Sequence, residues 1–228
     1  MPAEGALCGG GSMDLSLIET LRWEPETGFV RLERHLARLT HSAAALGLPG
    51  AEKAEAALVE ACAGSEAPLR VRLELFADGR IDVQTAAFAP LAPDATWRLA
   101  IAETRLASTD LLLRHKTSRR ALYAAARAEF PASEADEVIL LNERGDLCEG
   151  TITTLFIDDG SGILKTPPLA AGLLAGVLRA ELLENGKTIE AVLRPDDLSK
   201  GQIFVGNSLR GLIRSALCEG TRPPINAG

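Results

Sequence analysis

Chemistry in this chain could start at one lysine. Lys116 follows the apolar triplet at 111–113 in the segment LLLRHKTSRR, with Arg114, His115, Arg119 and Arg120 around it. An amine beside apolar side chains loses hydration, which lowers its pKa and frees its lone pair to form a Schiff base with a carbonyl. Five basic or potentially basic side chains in seven positions also describe the solvated start of a helix. Residue types alone leave both readings open. Other chemistries find less support. Only His35, His41 and His115 are present as imidazole bases, and no G-x-S-x-G marks a serine nucleophile. No G-x-x-x-x-G-K-[ST] occurs, and no G-x-G-x-x-G follows a strand. Cys8, Cys62, Cys148 and Cys218 lie too far apart for a zinc motif, so no metal is expected and the thiols read as reduced.

Composition bounds the partners. A net charge of −7 opposes the phosphate neutralisation on which non-specific nucleic-acid binding rests. The aliphatic run at 138–141 is far too short to cross a bilayer. Residues 1–12, MPAEGALCGGGS, read as a flexible leader without the charged start and apolar core of a signal peptide, and Met13 as a second start. The expected compartment is therefore the cytoplasm, with no membrane and no nucleic-acid partner.

The elements that must position the lysine follow from periodicity. Alternation from Leu15 to Arg22, the turn Glu24-Pro25-Glu26-Thr27-Gly28 and the run FVRL predict two paired strands. Leu36, Leu39, Ala43 and Leu46 recur at helical spacing, and Gly47 and Pro49 end that helix. A second helix is expected over 51–62. The alternating runs LRVRLELF and RIDVQTAAF flank Ala77-Asp78-Gly79, a hairpin signal. The first unit, residues 13–89, is thus β-β-α-α-β-β, and the proline-interrupted residues 90–96 form a linker. The larger unit, 97–228, should hold a strand over 97–103, a helix over 118–129 and a hairpin turning at 143–146. Strands over 153–157 and 162–164, a helix over 172–184 and a strand over 189–193 should follow. The fold class is α/β, or α+β, in two subdomains.

Several segments together resemble one family. LRHKTSRRALY, DEVILLNERGDLCEGTITTLF, LKTPPLAAGLLAGVLRAEL and IFVGNSLRGLI look like the successive motifs of the class IV aminotransferases, and LIETLRWEPETGFVRLERHLARLTHSAAALGLP matches their N-terminal part. The pattern Glu149-x5-Leu155-Phe156, Leu164-x-Thr166, Leu174-x-Gly176-Val177-x-Arg179 carries the specificity. The resemblance runs from about Leu15 to Leu212 and implies a two-subdomain pyridoxal 5'-phosphate fold with its site between the subdomains.

Carried over by position, Lys116 matches the lysine that bonds the cofactor, and Glu149 the acid that pairs with its pyridine nitrogen. A carboxylate there keeps the ring protonated and able to accept electrons. Arg38, in the family's H-L-x-R-L segment, matches the arginine that reaches the cofactor phosphate. The amides of Val177 and Leu178, at a helix start, and the hydroxyl of Ser208 match further phosphate ligands. For the substrate, Arg210 ranks before Arg22 and Arg72, either of which could equally be a solvated strand residue. Tyr123, the only tyrosine, reads as helix packing. The resemblance also implies a homodimer.

The departures bear on substrate. The family's opening loop, D-R-G-x-x-Y-G-D-G-x-F-E-T, survives only as Ile18-Glu19-Thr20; Thr154 replaces an asparagine and Ala175 a proline. The shortened start with RHKTSRR and GNSLRGLI looks most like the lyase domains fused behind aminodeoxychorismate synthase. The first expectation is therefore a lyase acting on aminodeoxychorismate. The second is an aminotransferase for a branched-chain or D-amino acid, and the third a non-catalytic relative that binds a partner.

Overall fold

The computed structural model describes residues 15–218, so the expected leader lies outside the described residues. The chain builds two sheets. The first has the order β2-β1-β3-β4 and is antiparallel throughout, from β1 (Ser16–Glu24), β2 (Gly28–Phe29), β3 (Leu69–Phe76) and β4 (Ile81–Ala87). Helices α1 (Leu32–Leu46) and α2 (Ala54–Cys62) cover one face, burying Leu39, Leu58, Val71, Leu73 and Leu75. The alternation of LRVRLELF decides this: its odd positions enter the core, and Arg70, Arg72 and Glu74 take the other face. The expected strand FVRL shrinks to its first residue. Arg31 takes a left-handed conformation, φ 61°, and the chain turns at once into α1.

The second sheet has eight strands in the order β10-β9-β8-β11-β12-β5-β6-β7. They are β5 (Thr96–Leu106), β6 (Glu137–Asn142), β7 (Leu147–Gly150), β8 (Thr154–Asp158), β9 (Leu164–Thr166), β10 (Thr188–Glu190), β11 (Gln202–Asn207) and β12 (Gly211–Leu217). Because β7 also pairs with β8, six of them close a ring around Leu99, Ile139, Leu155, Ile157 and Val205. Every residue of β6 is buried, since Ile139 and Leu141 face the ring while Val138 and Leu140 pack under α3 (Ala121–Ala128).

Two helices start later than periodicity implies, and both delays matter for the site. Residues 116–118 are extended and bonded to β1: Ile18 N donates to Lys116 O (2.7 Å) and Ser118 N to Ser16 O (2.9 Å), around a Leu17–Thr117 bridge. Helix α3 therefore opens only at Ala121. Gly172 is left-handed and Gly176 extended, so α4 (Val177–Glu184) begins five residues after the expected start. The predicted strands over 162–164 and 189–193 shift to β9 and β10. Apolar residues alone place such short edge strands poorly.

Glu137 fixes the connection between β7 and β8. Its carboxylate, 1% exposed, accepts from Val138 N (2.8 Å), Thr151 N (2.9 Å), Thr151 Oγ1 (2.6 Å), Ile152 N (3.1 Å) and Thr153 Oγ1 (2.8 Å). A Cβ at Gly150 would come within 2.7 Å of that carboxyl group, so the close approach requires glycine. Glu137→Gln would point an amide N–H2 at these donors, and should cost at least about 2 kcal/mol in urea unfolding. An unchanged unfolding midpoint would show that the carboxylate does not hold this turn.

Candidate active site

A cavity of about 560 Å³ lies where the two sheets meet. β1 and α1 supply one wall; the segment 115–123, the 149–154 turn, the start of α4 and the β11–β12 turn supply the others.

Lys116 faces it half-buried, its backbone pinned to β1. Desolvation is the largest influence on its amine and lowers the pKa to about 8. Arg38 and Arg120 push the same way, and Glu19 and Glu149 oppose. Lys116 enters no ion pair among the described residues. A lysine partly neutral near physiological pH can act as nucleophile and then as base.

Glu149, the penultimate residue of β7, lines the same cavity and is 4% exposed. Oε1 accepts from Tyr123 Oη (2.6 Å) and from Leu174 N (3.1 Å). Burial raises its pKa to about 7, outweighing those bonds and the charges of Lys116 and Arg120. Oε2 makes no hydrogen bond among the described residues. Tyr123 is thus more than helix packing: its hydroxyl, held protonated by burial and by Glu149, orients the acid. Arg120 stacks over the Tyr123 ring at 4.4 Å and donates to Thr151 O, which ties this helix start to the turn that Glu137 holds.

The far end suits an anion. Val177 and Leu178 open α4, where first-turn amides lack intrahelical acceptors. Gly176 and Gly206 keep the approach clear: a Cβ would come within 2.7 Å of Thr154 Oγ1 at the first and 2.8 Å of Leu178 Cδ2 at the second. Ser208 and Arg38 border the same end. The Arg38 guanidinium is largely engaged, however. Nε and Nη2 donate to the two oxygens of Glu19 (2.8 and 2.7 Å), and Nη1 donates to Ala175 O (3.1 Å). Glu19 also accepts from His35 Nδ1 (2.6 Å), and His35 Nε2 meets Ser208 Oγ at 2.8 Å. Burial opposes ionisation of Glu19, but Arg38 and the hydrogen bonds from His35 and Arg38 outweigh it and hold the pKa at about 2.

The structure therefore brings Lys116, Glu149, Arg38, Val177, Leu178, Ser208 and Arg210 to one cavity, and leaves Arg22 and Arg72 out of its lining. Arg22 pairs with Glu24 (2.6 Å), stacks on Phe88 and borders a separate surface depression. Arg72 pairs with Glu74 at 2.5 Å. In both, the glutamate two residues along the strand shares the arginine's face and takes its charge. The cation that β3 offers is Arg70, which lines the cavity near Arg210.

In the ligand-free protein the amine of Lys116 should lose its proton with a midpoint near pH 8. Its labelling by an amine-directed reagent, read by peptide mass spectrometry, should therefore rise through pH 8, well before the other lysines react. A midpoint at the ordinary lysine value would show that the cavity does not perturb it.

Comparison with known proteins gives the family. The family described as Amino-transferase class IV matches residues 16–217. A Mesorhizobium loti structure titled "Putative amino-acid aminotransferase" is 51% identical, with 90% of this chain and all of that chain covered and a TM-score of 0.87. A Schizosaccharomyces pombe protein named "Putative aminodeoxychorismate lyase" is 34% identical over 213 residues, 89% of each chain. The structure of 4-amino-4-deoxychorismate lyase from Pseudomonas aeruginosa is 25% identical, covers 98% of this chain and 91% of its own, and gives a TM-score of 0.74. With a lysine and a buried acid facing one cavity, and a family match spanning nearly all the described residues, the chain belongs to the class IV aminotransferases.

Proposed function

We propose that the protein binds pyridoxal 5'-phosphate and converts 4-amino-4-deoxychorismate into p-aminobenzoate and pyruvate. One observation carries the cofactor: Lys116 and Glu149 line one cavity and feel each other's charge, and the open Oε2 of Glu149 can accept a ring N–H. Val177 and Leu178 amides, Ser208 and the uncommitted N–H groups of Arg38 suit the phosphate. When bound, the cofactor supplies an electron sink conjugated to the carbon that carries the substrate amine.

The residues divide the remaining work. Lys116 Nζ, neutral above about pH 8, takes the proton from the aminated ring carbon. Glu149 Oε2 holds the proton on the pyridine nitrogen, and Tyr123 keeps that carboxylate aimed. The C–O bond to the enolpyruvyl group then breaks, the carbocycle becomes aromatic, and enolpyruvate takes up a proton to give pyruvate. Two carboxylates on the substrate need two cations. Arg70 and Arg210 both line the cavity and neither has a carboxylate partner among the described residues. Burial and the nearby Arg70 lower the Arg210 pKa, the mark of a cation short of counter-charge. The relative named an aminodeoxychorismate lyase supports this reading. The 51% identical structure titled an amino-acid aminotransferase supports the alternative, in which the same lysine moves a proton between two carbons of a small amino acid.

Leu122 and Ile152, at the cavity rim, remain 43% and 51% exposed, which supports a homodimer covering this face. A monomer by light scattering would rule it out.

Incubation with 4-amino-4-deoxychorismate should release p-aminobenzoate and pyruvate in equal amounts. Lys116→Ala should abolish both products and the borohydride-trapped cofactor adduct. Arg210→Ala should raise KM about tenfold or more, from the loss of a charge-assisted bond, without changing the absorbance of bound cofactor. Conversion of valine, leucine or D-alanine to keto acids with no p-aminobenzoate would select the aminotransferase reading instead.

A further inference from the structure

His35 lies 1% exposed between two partners that fix what its ring can do. Nδ1 sits 2.6 Å from a Glu19 oxygen, and Nε2 sits 2.8 Å from Ser208 Oγ. Glu19 stays ionised under the Arg38 fork, so it only accepts, and Nδ1 must carry a proton. With a neutral ring, Nε2 is then bare and accepts the Ser208 hydroxyl proton. Ser208 would turn only lone pairs towards the cavity and would repel an anion there. With an imidazolium, Nε2–H donates to Oγ, and the hydroxyl proton swings free towards the cavity.

Charge balance points the same way. The groups facing the imidazole are Glu19 from β1 and Arg38 from its own helix, and Lys116 and Glu149 line the same cavity. Arg31, at the start of α1, donates to Ser208 O (3.3 Å) and is paired with Glu181 of α4 (2.7 Å). Glu19 is the single carboxylate in contact with both Arg38 and His35, so with an imidazolium one negative charge serves two cations until an anion enters the cavity. We infer that His35 is a positioning residue: an anion at the Ser208 end binds together with one proton carried by His35, which turns the Ser208 hydroxyl into a donor. This rests on the reading that an anionic group occupies that end, but not on which reaction follows.

Sulfate tests it, because it is a dianion that does not itself titrate near neutrality. Lys116 and Glu149 could also exchange protons, so the readout must be the ring itself. The chain has three histidines, and single His41→Gln and His115→Gln variants assign the His35 ring nitrogens by elimination in 15N NMR. At a pH where the ligand-free His35 ring is neutral, saturating sulfate should convert its signals from one protonated nitrogen to two. Sulfate affinity should fall about tenfold per pH unit there, by linkage of anion and proton. His35→Gln, whose amide can donate to Ser208 without titrating, should flatten that dependence. Sulfate bound with a ring that stays neutral would overturn the inference while leaving the anion site standing. Failure of sulfate to bind would overturn both. Neither result touches the product assay that decides between lyase and aminotransferase.

Discussion

Two backbone hydrogen bonds place Lys116. The pairing of residues 116–118 with β1 carries a segment from the larger half of the chain onto the edge of the smaller sheet, and Lys116 O is one of its acceptors. β1 thereby becomes a strut shared by both ends of the cavity. Its backbone fixes the lysine, and the side chain of Glu19 on the same strand fixes Arg38, His35 and, through His35, Ser208. A shift of β1 would move the amine and the anion end together, so their separation is set by one rigid element rather than by two loops.

The two buried glutamates show how environment divides one residue type into two roles. Glu19 and Glu149 are 3% and 4% exposed, and burial raises the pKa of each. Glu19 receives a two-pronged guanidinium and an imidazole N–H, which outweigh burial, and it stays charged down to about pH 2. Glu149 receives one phenol O–H and one amide N–H, both neutral donors, and burial wins, giving about 7. Its stability consequence has a definite sign. The folded protein holds the Glu149 proton more tightly than the unfolded chain does, so stability contributed by this group is present below pH 4.5 and is lost as pH rises towards 7. A cationic N–H brought to Oε2 would offset that loss.

Much of this arrangement was legible from residue order. The alternation of β3, the helical spacing of α1 and the Glu143–Asp146 turn follow from periodicity and turn chemistry, and they come out where expected. What failed were positions decided by long-range bonds. The start of α3 was hidden because residues 116–118 prefer a strand partner about a hundred residues away in sequence. Tyr123 was hidden because its acceptor lies 26 residues on, on β7 rather than on its own helix. Arg22 and Arg72, by contrast, could have been excluded. Each sits two residues before a glutamate in an alternating run, which puts the charges on one face at contact distance; Arg70 has a threonine-free, acid-free neighbour at the next such position, Arg72 itself.

The charge pattern of the cavity completes the physical picture. The chain carries a net charge of −7, yet its cavity lining has six Lys or Arg residues against two Asp or Glu. An acidic surface around a cationic recess repels anions at a distance and holds them once inside, because low-dielectric walls concentrate the local field. Most of these cations are not neutralised by carboxylates of the cavity itself: Lys116, Arg70 and Arg210 have no ion-pair partner among the described residues. Leaving cations unpaired in a partly buried space costs folding stability, and a fold selected only to be stable would have paired or replaced them. The excess gives the cavity capacity for ligands that bring more than one negative charge, with Arg38 anchored by Glu19 and with Arg70 from β3 and Arg210 from the β11–β12 turn unpaired among the described residues.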